Sequence, residues 1–437
     1  NQPVALGGGL YWDFLRIFEE MKIGLRKAAQ CADGPIRSIG IDSFSNDFGI
    51  VSQRGELLTP VRCYRDLRTA RCEARIYERF DPEWLYMRSG NQLALFGTFM
   101  QLASQVIEKT DQALHSGGKL LLLPDLLGYF LTGVARSEYT VSSVTQLYRM
   151  TEGRWDEMLI RQLGLKVELL ADLILPGQTL GPILPRLEEE LGLCGAEVVA
   201  VCGHDTASAF LAAADGEDTA VLSSGTWSLL GIERDRPILD RRGYQWNIAN
   251  EGGYPGPHYR ILANVMGNWI LQELQRDLAA HGQALSMEDM LQIRPTGLVC
   301  RLNIDDPAFF SPGNMCAKLK DACGREGYPV PQTPAQMVEC VYSSLAYRYL
   351  DRITQIETLT GTPIRQVRVV GGGSRNTLMN QMIANVCARP VLAGPAEATA
   401  LGNILAQMLA SGEFESVQEG RRLVRSQFQD EAFFPKG

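Results

Sequence analysis

The tripeptide His204-Asp205-Thr206 is the part of the sequence best suited to acid–base chemistry, because it lies between the apolar residues 198–201 and 207–214. The first stretch predicts a buried strand and the second a helix, with Asp205 or Thr206 as the N-cap. A helix N-terminus favours an ionised carboxylate, so Asp205 is placed to accept a proton from an alcohol as a general base. A cap without chemistry is the alternative and the commoner role of aspartate there. His204 is interpreted as a hydrogen-bonding or substrate-orienting group rather than a metal ligand.

Two small-residue turns are candidates for phosphate binding. They are residues 223–226, which include Gly225 and Thr226, and the triplet Gly371-Gly372-Gly373. Glycines let the backbone approach a phosphate or a base, and a following helix offers free N–H groups. Ordinary structural turns are the alternative. Neither the P-loop pattern nor the protein-kinase motifs occur, and the triplet does not fit a dinucleotide fingerprint, so a bound ATP requires a different architecture.

Charged residues alternate directly after an aromatic residue at Arg65-Asp66-Leu67-Arg68. Paired carboxylate and guanidinium groups suit a ligand with many hydroxyls, because they fix the orientation of each hydroxyl. A solvated cluster of salt bridges is the alternative, and the sequence does not decide between the two.

The elements that must position these residues follow from hydrophobic periodicity and from turn residues. Strands are predicted at residues 36–42, 48–52, 198–201, 219–222, 367–370 and 390–393, and helices at residues 14–30 (capped by Asp13), 71–80, 98–113, 187–191, 264–278, 334–360 and 377–387. Strand, polar turn and strand recur at 36–52 and 219–233, which indicates two related α/β halves. We place the domain boundary between residues 216 and 217.

Composition limits the partners. The 437 residues carry a net charge of −8 without a run of Lys or Arg, which argues against nucleic acid and anionic membrane surfaces. The most apolar run, residues 120–131, contains Pro124 and Asp125 and is too short to span a bilayer. Ten cysteines without a Cys-x-x-Cys pair and only four histidines argue against structural zinc and favour reduced thiols in the cytoplasm. A Cys300–Cys316 pair is the alternative.

Several motifs occur in one order along the whole chain. They are I-G-I-D at 39–42, Y-R-D-x-R-T at 64–69, G-H-D-T-A-S-A at 203–209, S-S-G-T-W-S at 223–228, N-E-G-G at 250–253, G-G-G-S-x-N-T at 371–377 and G-P-x-E-A-T-A-L-G-N at 394–403. This combination resembles the FGGY carbohydrate kinases. The resemblance implies two ribonuclease-H-like domains of the actin and Hsp70 type around a central cleft.

The resemblance also implies an activity, which is transfer of the ATP γ-phosphate, with Mg²⁺, to the C1 hydroxyl of a ketose. L-Rhamnulose is the substrate of the branch that the chain resembles most; L-fuculose, xylulose or a sensor without catalysis are the alternatives. Asp205 becomes the catalytic base. The expected substrate contacts are Ser45, Asp66, His204, Thr206 and Asn264, and the expected nucleotide contacts are Gly225, Thr226, Gln272, Gly371, Gly372, Gly373 and Asn376. No resident metal ligand is assigned, and a monomer or a homodimer is expected.

Two departures from the family pattern concern the substrate site. The phosphate hairpin with which family members open is expected before Asn1 and is not in the sequence. Residues 43–48 read Ser-Phe-Ser-Asn-Asp-Phe where the branch pattern is near Thr-Trp-Gly-Val-Asp-Phe. Phe44 and Ser45 therefore leave the identity of the sugar open.

Overall fold

A computed structural model of the chain describes residues 2–110, 112–225, 227–256 and 258–436. Strands and helices are mixed along the whole chain, in agreement with the α/β prediction. The strands are β1 Val4–Leu6, β2 Gly9–Tyr11, β3 Ser38–Gly40, β4 Phe48–Val51, β5 Lys119–Leu122, β6 Ser137–Glu138, β7 Tyr148–Arg149, β8 Arg154–Trp155, β9 Leu173–Ile174, β10 Thr179–Pro182, β11 Glu197–Val199, β12 Thr219–Ser224, β13 Ser228–Arg234, β14 Ala249–Gly253, β15 His258–Val265, β16 Gln366–Val370, β17 Val391–Ala393 and β18 Glu431–Phe433. The helices are α1 Phe14–Cys31, α2 Arg68–Arg79, α3 Pro82–Ser89, α4 Thr98–Ile107, α5 Leu123–Thr132, α6 Tyr139–Ser142, α7 Glu157–Gln162, α8 Pro185–Leu191, α9 Asp205–Ala213, α10 Arg241–Trp246, α11 Trp269–Ala280, α12 Met287–Leu291, α13 Met315–Glu326, α14 Pro334–Thr360, α15 Thr377–Cys387, α16 Ala398–Ala410 and α17 Val417–Gln427.

The chain forms two compact units, each assembled from three segments. The first contains the chain up to Leu211, Arg234–Arg260 and Thr399–Gly420. The second contains Ala212–Glu233, Ile261–Ala398 and the chain from Arg421 onwards. The domain boundary between residues 216 and 217 stays a prediction.

In the first unit, parallel pairing sets the position of two strand ends. β3 pairs in parallel with β11, with Ser38 opposite Glu197 and Gly40 opposite Val199, and β10 covers the other edge of β11. Apolar residues of β3, β11, α5 and α8 form the core behind them. Because parallel strands end at the same edge, the segments that follow β3 and β11 emerge side by side.

The second unit is built on a largely buried sheet. β12 pairs with β13 in antiparallel and with β16 in parallel orientation, and β16 continues to β17 and β18. Every residue of β12 except Ser223 is buried, and only Gln366 of β16 is not. Such near-continuous burial is typical of strands covered on both faces. The carboxyl ends of β12 and β16, with Ser223 opposite Val370, lie at one edge.

Several predicted elements are confirmed with shifts of a few residues. Asp13 caps α1 by accepting the backbone N–H of Arg16, and Thr333 opens α14 in a capping box with Gln336. The helix predicted at residues 377–387 is α15, with the predicted bounds. Local capping and periodicity account for these agreements, because both signals come from neighbours in sequence.

Three local predictions are wrong. Ser223 and Ser224 belong to β12 rather than to a turn, and α9 begins at Asp205 itself. Asn264 lies on β15, and the helix predicted from this position begins only at Trp269. All but two residues of β15 are buried, so burial in the sheet outweighs the helical spacing of the apolar residues.

The cysteines are unpaired, so the suggested Cys300–Cys316 pair is wrong. The Cys323 sulfur instead lies 4.0 Å from that of Cys300 and 3.6 Å from that of Cys340. Burial raises the pKa of Cys323 to about 11 and that of Cys340 further. The three sulfur atoms lie within 4.8 Å of one another, and the absence of a structural zinc site stays a prediction.

Among the described residues, no helix combines the length and the apolar character that crossing a membrane requires.

Candidate active site

The segment that carries Asp205 is hydrogen-bonded to the segment that follows β3. The backbone N–H of Ser43 donates to the Gly203 carbonyl at 3.0 Å, and the N–H of Asp205 donates to the Ser43 carbonyl at 2.9 Å. The buried Glu138 carboxylate accepts the Gly203 N–H at 2.9 Å from the other side. The parallel register of β3 and β11 therefore brings the sequence-predicted residues near 45 and 205 into one neighbourhood.

Asp205 is the first residue of α9, and its side chain is 43% exposed. One carboxylate oxygen accepts from the backbone N–H of Thr206 at 2.6 Å and from its hydroxyl at 3.2 Å. The Thr399 hydroxyl donates to the Asp205 carbonyl at 3.3 Å. The backbone is thus fixed from several sides, while the carboxylate stays accessible to an alcohol.

Asp42 is a second carboxylate at this edge, and the sequence analysis gave it no role. It follows β3 and accepts a 2.5 Å hydrogen bond from the Asn403 side chain. Burial first, and the negative charge of Asp205 after it, raise the pKa of Asp42 to about 6, although the hydrogen bond from Asn403 lowers it. In the sequence, the I-G-I-D motif could have identified this residue, because it places a carboxylate at the end of a predicted strand.

His204 is buried between two acidic groups. Its Nδ1 lies 3.2 Å from an oxygen of Glu251, and its Nε2 lies 3.7 Å from an oxygen of Asp205. Glu251 belongs to β14 and is also bonded to Arg260 at 2.9 Å. The N-E-G-G motif marked this glutamate in the sequence, but only the fold shows that its partner is His204.

Ser45 and Asp66 differ in the freedom of their side chains. Ser45 is half-buried in the turn after β3, and its hydroxyl accepts a hydrogen bond from the Asn46 amide at 2.9 Å. Asp66 is buried, and its two oxygens accept the backbone N–H groups of Leu10 at 2.7 Å and Arg68 at 2.9 Å. Burial alone would raise the pKa of Asp66, but these hydrogen bonds and the charge of Arg68 lower it.

Arg68 is 1% exposed, so a solvated salt-bridge cluster is wrong for the Asp66–Arg68 pair. The Arg68 guanidinium donates to Gln101, whose amide donates to Asp47 at 3.1 Å and to the Asn46 carbonyl at 3.2 Å. Sugar binding by Asp66 stays a prediction. The Asp66 carboxylate is connected to residues 46 and 47 only through Arg68 and Gln101.

In the second unit, the two candidate phosphate turns pack against each other. Gly225 follows β12, and the glycine triplet follows β16, at the same edge of the sheet. Gly371 has a φ of +79°, which favours glycine, and a Cβ on Gly373 would lie 2.1 Å from the Ser224 hydroxyl. A Cβ on Gly372 would meet nothing within 4 Å. The middle glycine thus faces open space, whereas its neighbours are required by the fold.

Gln272 is brought to the same turn by the start of α11. The backbone N–H of Asn268 donates to the Gly225 carbonyl at 3.1 Å, and that of Gln272 donates to the Asn268 carbonyl at 2.9 Å. Asn376 caps α15 by accepting the Met379 N–H at 3.0 Å. The side-chain oxygen of Asn376 therefore has a structural role as a helix cap. Nucleotide binding by Asn376 stays a prediction.

Two further predicted residues are not joined to these groups by a described contact. Asn264 is half-buried on β15 in the second unit, and its substrate contact stays a prediction. Thr226 lies outside the residues that the structure describes.

Solved structures show the same fold. Xylulose kinase from Lactobacillus acidophilus superposes with a TM-score of 0.80 at 17% identity, covering 100% of this chain and 87% of that one. Glycerol kinase from Plasmodium falciparum, solved with ADP, gives a TM-score of 0.79 at 14% identity, with 100% and 88% covered. These likenesses confirm the two-domain sugar-kinase fold of the actin and Hsp70 type.

Sequence relatives extend over nearly the whole chain. Rhamnulokinase from Halalkalibacterium halodurans is 35% identical over 98% of this chain and 90% of its own length. Rhamnulokinase from Yersinia pestis strain Pestoides F is 37% identical, with 98% and 86% covered. The N-terminal domain of the FGGY family of carbohydrate kinases matches residues 10–212, and its C-terminal domain matches residues 220–411. The chain therefore belongs to the FGGY family of carbohydrate kinases.

Proposed function

We propose that this ATP-dependent sugar kinase transfers the γ-phosphate of ATP to the C1 hydroxyl of L-rhamnulose. The observation that carries the chemistry is the accessible Asp205 carboxylate at the start of α9. The choice of sugar is supported by relatives named rhamnulokinase, which are 34–37% identical over 98–100% of the chain. Phe44 and Ser45 keep L-fuculose and xylulose as alternatives to be tested.

Asp205 accepts the proton of the C1 hydroxyl while the oxygen of that hydroxyl forms a bond to the γ-phosphorus. The bond from that phosphorus to the β,γ-bridging oxygen breaks, and ADP leaves with the electron pair. A weak base is sufficient, because the loose transition state leaves little charge on the attacking oxygen. His204 and Ser45 orient the sugar, so that positioning supplies a large part of the rate.

The turns at Gly225 and at the glycine triplet would bind the ATP phosphates through backbone N–H groups. Mg²⁺ would be held by Asp42 together with phosphate oxygens and water, and it would neutralise phosphate charge. The Asp42 carboxylate fits this ion, because it is an oxygen ligand and a cation there would offset the negative charge of Asp205 that acts on it. The free thiols support the predicted location in the reducing cytoplasm.

A ketose panel tests the proposed function. The chain is incubated with MgATP and L-rhamnulose, L-fuculose, L-xylulose, D-xylulose or glycerol, and ADP release is measured. We expect the highest kcat/KM with L-rhamnulose and a sugar 1-phosphate as the product. A higher kcat/KM with another ketose would reassign the sugar, and ATP hydrolysis that no sugar stimulates would refute the kinase proposal.

Replacing Gly372 by valine tests the nucleotide site. A Cβ at this position meets nothing within 4 Å, so we expect unchanged stability. The KM for ATP should rise at least about tenfold, because the branched group fills the space that the phosphates or base need. Gly373→Ala is the contrasting variant, because its methyl group would overlap Ser224 and lower stability. An unchanged KM for ATP in Gly372→Val would exclude nucleotide contact at this glycine.

A further inference from the structure

Three buried thiols from separate segments of the second unit converge on one point. Cys300 lies on the irregular chain after α12, Cys323 on α13 and Cys340 on α14, and all three are fully buried. The Cys323 sulfur lies 4.0 Å from that of Cys300 and 3.6 Å from that of Cys340, and the three sulfurs lie within 4.8 Å of one another. We call these three residues the thiol cluster.

Hydrogen bonds attach the irregular chain around Cys300 to α14. The backbone N–H of Cys300 donates to the Ser343 hydroxyl at 3.0 Å, and that of Leu302 donates to the Ser344 hydroxyl at 3.1 Å. The Ser344 hydroxyl in turn donates to the Cys340 carbonyl at 2.7 Å. The fold itself therefore sets the position of Cys300 relative to Cys340.

The spacing of the thiol cluster suits a single centre bound by three sulfurs. A metal–thiolate bond measures about 2.3 Å, so three sulfurs in one plane around such a centre stand about 4 Å apart. The two measured separations, 4.0 and 3.6 Å, are close to this value. A centre slightly above the plane of the sulfurs brings them closer together and accommodates the shorter separation.

Burial selects the charge of that centre. Three thiolates leave one net negative charge around Zn²⁺ and two around Cu⁺, but none around a trivalent centre. A buried net charge is costly unless it is paired. Burial raises the pKa of Cys323 to about 11, and the negative charge of Glu326 acts in the same direction. The surroundings of the thiol cluster thus oppose an anionic complex and tolerate a neutral one.

We propose that the thiol cluster is a binding site for trivalent arsenic, which arrives as neutral arsenous acid. Three As–O and three S–H bonds break, three As–S bonds form, and each departing hydroxyl leaves as water with one thiol proton. Arsenic stays trivalent, so the step needs neither an oxidant nor a reductant. Val299, beside Cys300, is 57% exposed, and local opening of this irregular segment admits the reagent.

Arsenic content and coordination test the site directly. The reduced full chain is incubated with sodium arsenite and desalted in a buffer with a monothiol, which removes arsenic from isolated surface thiols such as that of Cys31. We expect one arsenic per chain, three sulfur neighbours by X-ray absorption, and a higher Tm because the native state alone offers the site. No retained arsenic, or fewer than three sulfur neighbours, would overturn the proposal.

Cys340→Ala removes one ligand, and we expect it to lose both the retained arsenic and the rise in Tm. Cys387→Ala is the matched control, because Cys387 is a buried cysteine of the same unit that lies on α15, outside the thiol cluster. It should retain arsenic like the wild type. Equal retention by Cys340→Ala and the wild type would contradict the assignment, and the wild-type measurement decides if Cys340→Ala does not fold.

Zn²⁺ in the same protocol tests the argument from charge. We expect no retained zinc, in agreement with the sequence-based prediction that a structural zinc site is absent. Zinc bound by three sulfurs in place of arsenic would refute the argument and with it the proposal. None of these measurements requires turnover, so their outcome does not depend on whether the chain phosphorylates L-rhamnulose.

Discussion

Asp205→Asn is expected to lower kcat for ketose phosphorylation by about 10²–10⁴-fold, the range that general bases contribute. Asparagine keeps an oxygen that can accept the Thr206 N–H, which Asp205 accepts at 2.6 Å, so α9 should begin as before. What is lost is the group that accepts the proton of the C1 hydroxyl. The measurement is kcat with L-rhamnulose, together with ATP affinity by calorimetry, which we expect to stay nearly unchanged.

Asp81→Asn is the control for this substitution. Asp81 also stands at a helix start in the first unit and accepts a backbone N–H, that of Trp84, at 2.7 Å. It has no part in the proposed site, so we expect full activity. Normal turnover by Asp205→Asn would remove Asp205 from the mechanism, and equal losses in both variants would show a general effect of the exchange.

Gly402→Ala is expected to destabilise the first unit and to reduce activity together with stability. A Cβ on Gly402 of α16 would lie only 1.7 Å from the Ser208 carbonyl oxygen of α9. The two helices must separate to admit it, because a backbone atom cannot rotate away. Overpacking typically costs about 1–3 kcal/mol of stability. Because the contact is with a backbone atom, we expect the loss in this variant to lie at the upper end of that range or above it.

The activity loss follows from what α9 carries. Asp205 is its first residue, and Thr399 at the start of α16 donates to the Asp205 carbonyl at 3.3 Å. A shift between these helices therefore moves the catalytic carboxylate. Urea unfolding gives the stability change, and kcat measured well below the unfolding transition gives the effect on the site.

Gly24→Ala is the matched control, because Gly24 lies inside α1 and a Cβ there would meet nothing within 4 Å. Alanine in a helix interior is favoured over glycine by up to about 1 kcal/mol. We expect Gly24→Ala to be as stable as the wild type or slightly more so. A Gly402→Ala protein with wild-type stability would show that α9 and α16 can separate freely.

The sequence by itself determined the features that depend on near neighbours. Asp13 and Thr333 cap their helices through residues three positions away. The strand, the glycine triplet and the helix at residues 366–387 are predicted by the order of residue types along this stretch. The motif around Asp205 was recognisable because its residues are contiguous. Family membership was predictable for the same reason, because each motif is a short contiguous stretch and the motifs occur in one order along the chain.

The tertiary structure alone decided which distant residues share the site. Glu251 and Arg260 stand 47 and 56 positions after His204, and the ion pair forms only when β14 and β15 turn back toward α9. Asn264 is a strand residue because the sheet buries its neighbours, and Asp66 is buried because backbone N–H groups from two segments converge on it. Residue types set what each side chain can do, whereas the path of the chain sets its partner, its burial and its charge.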